Sequence, residues 1–268
     1  MRVIGLVAYH VFKESVRDKV LYNLVVFAVL MIGASILIGQ LTAGQDIKIV
    51  KDLGLAASSV FGLFIAVFIG VGLVWKEVDR RSVYALLVKP LRRDAFIVGK
   101  FCGLALTLAV NLAVMAGALY IVLACTAWAQ PALARASVDA PVLDPNLLKV
   151  YLLIFVSLLI VTAIALFFST FSSPMLSAGF TFGLYVVGHF NDDLAHFENV
   201  IKSRAAAGLA RALYYLLPNF APFDIKAAVV HGQPVEPGYL LLTCGYGMLY
   251  AAAVVIVAMR IFSRRDFK

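Results

Sequence analysis

Charge is scarce in this sequence. Only 14% of its 268 residues are charged, 63% are apolar, and the mean hydropathy is +0.95. A soluble domain carries about a quarter charged residues, so a soluble globular protein is excluded. The apolar runs are long and continuous rather than alternating, which predicts membrane-spanning helices and excludes a β-barrel. They hold almost no carboxylates, which excludes an ion-coupled transporter that works alone. There is no GxxxxGK[ST] loop, so the chain binds no nucleotide of its own by that route. No GxSxG elbow or HExxH pair is present to support hydrolysis. Cys102, Cys125 and Cys244 lie in apolar runs without a CxxC pair, and they are expected to be small buried hydrophobes. No cleavable signal peptide is expected, because charge runs throughout residues 1–19 and the first apolar run is too long.

What is present is one all-α polytopic domain over residues 1–268. Residues 2–19 read as an amphipathic interfacial helix, with Ile4, Val7, Ala8, Val11 and Val16 on one face and His10, Lys13, Glu14 and Arg17 on the other. Six spans follow, at 20–40, 53–75, 95–125, 147–168, 176–190 and 239–262, with a polar link between the first two. The tight Ser172–Met175 link makes spans four and five antiparallel neighbours. With both termini inside, 15 of the 23 Lys/Arg lie on the inner side with 6 acids, and the outer side holds 8 Lys/Arg with 9 acids. That asymmetry predicts cytoplasmic termini, and it explains the net charge of +8 without nucleic acid.

The densest charge lies between spans two and three, from Trp75 to Lys100. Lys76, Arg80, Arg81, Lys89, Arg92, Arg93 and Lys100 stand there with Glu77, Asp79 and Asp94. Between them Val83, Leu86 and Leu87 fall at helical spacing, and Pro90 ends the run. Residues 76–94 thus read as a short cytoplasmic helix that offers an apolar ridge with basic ends to a partner. The charges also enforce topology.

Elsewhere the signals are weaker. Gly99/Gly103 and Gly179/Gly183 have the small-xxx-small spacing that permits close helix approach. Asn111 is the strongly polar residue deep in a span, suited to an interhelical hydrogen bond or a substrate contact. Residues 191–238 form an outer interfacial segment, with a helix over 200–217 that the Pro218–Asp224 turn ends. At its start His189, Asp192, Asp193 and His196 have a helical spacing that suits Zn²⁺ or Cu²⁺. The same groups suit a helix end emerging into water, and that reading is preferred, with no metal assigned.

The island resembles the cytoplasmic coupling region of ABC-2 type transporter permeases. The resemblance is carried by Glu77, Arg80-Arg81-Ser82, Leu86-Leu87-Val88-Lys89-Pro90, Arg92-Arg93-Asp94 and Gly99-Lys100. It extends to the six-span order, the N-terminal helix and the PNFAPFD turn, and it looks closest to short bacterial permeases of nitrous-oxide-reductase maturation and gliding motility. It implies a permease subunit that forms half of a membrane pathway and is not itself an enzyme. Two copies of a cytoplasmic ABC ATPase would carry ATP and Mg²⁺. A second permease, in a homodimer, would complete the pathway in a bacterial inner membrane, among membrane lipid. Glu77, Arg80, Arg81, Tyr84, Leu87, Lys89, Pro90, Arg92 and Arg93 would couple it to the ATPase. The alternatives are a membrane scaffold or anchor that transports nothing, and a membrane enzyme acting on lipids. Substrate and direction are not legible.

Overall fold

A computed structural model describes residues 2–40, 46–79, 93–129, 141–190 and 217–264. Among these the regular structure is helical: α1 Arg2–Val16, α2 Lys19–Gln40, α3 Asp46–Asp79, α4 Arg93–Ala129, α5 Asn146–Ser169 and α6 Pro174–His189. A 3₁₀ turn at Ala221–Phe223, α7 Lys226–Val230 and α8 Pro237–Arg264 complete it.

Burial sorts the helices. The most apolar stretches of α5 and α3 are 78% and 72% buried, those of α2 and α8 only 22%. A helix apolar all round belongs at the centre, and α5 is one: every residue from Leu158 to Leu166 is buried. It packs against α3, α4, α6 and α8. The outward faces of α2 and α8 carry Phe27, Leu30, Leu241 and Leu249, which in water would be a liability and in lipid are not.

Among the described residues five helices are long and apolar enough to cross a membrane: α2, α3, α4, α5 and α8. The expected fifth span is shorter than the rest. α6 has 16 residues, about 24 Å at the helical rise, and falls below that length. At the other extreme, α3 and α4 have 34 and 37 residues, which exceeds the roughly 20 a bilayer core needs.

The link expected before span two is partly helix. α3 begins at Asp46 because Ile47 and Val50 are buried and because Lys51, 1% exposed, has a partner: its Nζ donates to Pro141 O at 2.8 Å. A hydropathy reading treats that lysine as solvent-bound, and here a loop carbonyl satisfies it.

α1 is held to the bundle. The backbone breaks after it, and Asp18 Oδ1 accepts Val20 N–H at 3.0 Å, which caps α2. Its apolar face covers the start of α4 rather than lipid. A Cβ placed on Gly99 would lie 2.7 Å from Val7 Cβ, and one on Gly103 would lie 2.7 Å from Ala8 O. The first glycine pair is therefore a helix contact. Val16 is the exception on that face and is half exposed. The second pair, Gly179 and Gly183, meets nothing described within 4 Å.

Two further expectations change. Asn111 is buried but donates back to Thr107 O on its own helix at 2.7 Å. A polar contact that does join two buried helices is Ser58 Oγ with Tyr151 OH at 2.9 Å. Cys102 and Cys125 are exposed on the bundle surface instead of buried, because that surface is as apolar as the core.

Candidate functional site

α1 and the last turns of α8 meet the start of α4 at one end of the bundle. α1 packs beside Gly99 and Gly103, and Phe96 stacks on Phe262 with ring centroids 6.0 Å apart. Lys100, 1% exposed, sets its Nζ 4.6 Å from the centre of the Phe96 ring. A buried cation over an aromatic face gains electrostatic compensation for lost water. α3 ends at Asp79 and α4 starts at Arg93, so the chain from 80 to 92 joins them. Of the residues expected to couple to a partner, Glu77 lies in the last turn of α3 and Arg93 opens α4. Arg80, Arg81, Tyr84, Leu87, Lys89, Pro90 and Arg92 lie outside the described residues.

The opposite end, here the turn end, carries the PNFAPFD turn. It does not lie on the surface. Phe220 and Phe223 are 1% and 4% exposed, and the turn reaches Tyr246, nine residues into α8 and so about 14 Å along it. At that depth backbone groups need protein partners, and the turn supplies them. Asn219 N–H donates to Tyr246 OH at 3.0 Å, Phe220 N–H to Gly188 O at 2.9 Å, and Ala221 N–H to Asn219 Oδ1 at 2.9 Å. Tyr239 OH donates to Pro222 O at 2.7 Å. Proline at 218 and 222 removes two donors that would otherwise need acceptors. Gly188 has no side chain because Pro218 O and the Phe220 ring occupy that space.

Around the turn, α3, α5 and α6 contribute Ser59, Ser157, Tyr185 and His189, which face Asp224 and Lys226. Lys226 Nζ donates to Ser59 Oγ at 3.3 Å and pairs with Asp224 at 3.7 Å. They enclose about 20 Å³, room for about one water. The ion pair and hydrogen bond make it a joint between elements.

His189 belongs to this joint. Its Nδ1 donates to Tyr185 O at 3.0 Å, and its ring stacks on Phe220 at 5.5 Å. Asp192, Asp193 and His196 lie outside the described residues, and among the described ones no three His, Cys, Asp or Glu side chains gather as metal ligands. Sequence reasoning also missed the latch between α3, α4 and the loop before α5. Besides Lys51–Pro141, Tyr120 OH donates to Asp144 O at 2.9 Å, and Asp144 Oδ1 accepts Asn146 N–H at 2.8 Å. The available signal was a lysine at an i+4 register with buried residues, Ile47 and Leu55.

No curated protein matches the chain. A family model described as ABC-2 family transporter protein matches residues 6–267. With apolar helices of membrane-crossing length, two buried central ones and a match over nearly its whole length, the chain belongs to the ABC-2 transporter family and is a transmembrane permease.

Proposed function

We propose that this permease forms half of an export pathway and couples through residues 76–94 to a separate cytoplasmic ATPase. The observation that carries the reading is the meeting of α1 and the last turns of α8 at one end of the bundle, beside the junction of α3 and α4. Chain ends on one side require an even number of passes. Five long helices among the described residues, with α6, whose far end meets the buried turn, support a count of six. The excess of Lys/Arg on that side supports a cytoplasmic placement, and the resemblance supports a bacterial inner membrane. ATP and Mg²⁺ belong to the ATPase, in two copies, and a second permease of the same sequence closes the pathway by two-fold symmetry.

The basic rim of the coupling element, Arg80, Arg81, Arg92 and Arg93 with Lys89, steers the ATPase. Tyr84 and Leu87 anchor it in a cleft, Pro90 ends the helix, and Glu77 sets its angle by pairing with Arg80 or Arg81. Two double variants test this by ATPase pull-down and coupled hydrolysis. Tyr84→Ala with Leu87→Ala loses about 2 kcal/mol or more of binding, while the permease still inserts. Arg92→Ala with Arg93→Ala flattens the salt dependence of association. Normal binding and coupling by the first variant would reduce the island to a topology determinant.

A further inference from the structure

We propose that the corner between α1 and α2 binds the phosphate headgroup of an anionic phospholipid. A concavity of about 740 Å³ opens there, lined by His10, Lys13, Glu14, Arg17, Asp18 and Lys19. Among the described residues no ion pair engages Lys13, Arg17 or Lys19. The acids offset them only in part. Asp18 accepts the Val20 N–H, and with Glu14 it leaves the three cations a net charge of +1.

Depth selects the occupant. The apolar run that enters the bilayer starts at Lys19, so the three cations stand at the level of the lipid phosphates, where Lys and Arg attract anionic headgroups. The site is also held in place. Val7 and Val11 pack against Gly99 and Gly103, so α1 cannot swing its charges into bulk water without leaving α4. Beside the corner, Val16, Val20 and Tyr22 are about half exposed or more and offer an apolar wall to acyl chains. A soluble anion would use the cations and ignore the wall.

The inference rests on α2 entering the bilayer at Lys19, and it is independent of any ATPase. The test is native mass spectrometry of the full chain in mild detergent, titrated with phosphatidylglycerol or phosphatidylcholine. Wild type retains phosphatidylglycerol at least about fivefold over phosphatidylcholine. Lys13→Ala with Arg17→Ala and Lys19→Ala brings the ratio near one, and so, in part, does Arg17→Gln alone, should the triple variant fail to fold. Arg17→Lys keeps the preference. Arg260→Ala, which removes an exposed cation of α8 outside the concavity, keeps it too. Parity in wild type, an unchanged ratio in Arg17→Gln and the triple variant, or loss in Arg260→Ala overturns the proposal. So does displacement of the lipid by millimolar inorganic phosphate, which would assign the corner to a soluble anion.

Discussion

The two ends of the bundle are built on different physics. At the turn end, charged and hydroxyl groups reach loop carbonyls across elements: Lys51 to Pro141, Tyr120 to Asp144, Lys149 to Val235 and Tyr239 to Pro222. Among the described residues the terminal end adds apolar surfaces: α1 on the Gly99/Gly103 strip, Phe96 on Phe262, and the Phe167, Phe168 and Phe171 rings on one another. Directional bonds fix one arrangement, since a displaced partner leaves a polar group unsatisfied in a low-dielectric setting. Apolar surfaces tolerate sliding at smaller cost. Under the coupling proposed above, a permease driven from the terminal end needs this division, with a pinned far end and a near end that yields.

Breaking the most buried of the directional contacts should have the largest effect. Lys51→Met leaves Pro141 O without its donor and the buried Asp144 without its nearby cation. Stability should fall by up to about 3 kcal/mol, read by thermal unfolding in mild detergent. A melting curve like wild type's would show that water replaces the lysine and that the turn end is not pinned there.

A pair of glycine variants sharpens the comparison. Gly188→Val drives a side chain into Pro218 O and Phe220, so the turn leaves the bundle and global stability falls by about 2 kcal/mol. Gly103→Leu meets Ala8 O and Val11 at a similar distance, yet the cost should stay local. α1 detaches and loses hydrogen-exchange protection, while the melting of the remaining helices shifts by less than about 1 kcal/mol. Equal global losses would mean that the two ends are equally rigid.

The sequence made the helical class, α2, α4, α5 and α8 to within a few residues, and the Gly99/Gly103 contact legible, because continuous hydropathy and small-residue spacing act locally. It did not reveal that α3 begins at Asp46, since a buried lysine reads as solvent until its carbonyl partner, 90 residues away, is known. The cysteines misled for a related reason: in a membrane an apolar residue faces lipid as readily as core. The spacing of His189 suited a metal as well as the preferred helix end emerging into water, and its ring instead packs on Phe220, a partner supplied by a segment 31 residues on. The Pro218–Asp224 turn was legible as a turn, but its depth was not, because depth depends on acceptors such as Gly188 O and donors such as Tyr239 OH on other elements.

The smallest expected effect separates pinning by many weak bonds from pinning by one strong one. Tyr239 is 42% exposed, so part of its ring already faces the surroundings, and Tyr239→Phe removes only the hydroxyl that donates to Pro222 O. Proline has no N–H, and its carbonyl is therefore the one backbone group that position can anchor. Hydrogen bonds within membrane proteins contribute on average about 0.6 kcal/mol, because the competing states also find partners. Tyr239→Phe should cost about that much and leave the fold intact. Its effect should concentrate in hydrogen exchange at Phe223 and Asp224, whose N–H groups donate within the turn to Phe220 O and Ala221 O. Faster exchange at those two amides, with the amides of Val229 in α7 and of His231 at its C-cap unchanged, would show that the turn is held bond by bond. Simultaneous loss of protection across the turn and α7 would show instead that one hydroxyl holds the whole segment, and the turn end would then be a single latch.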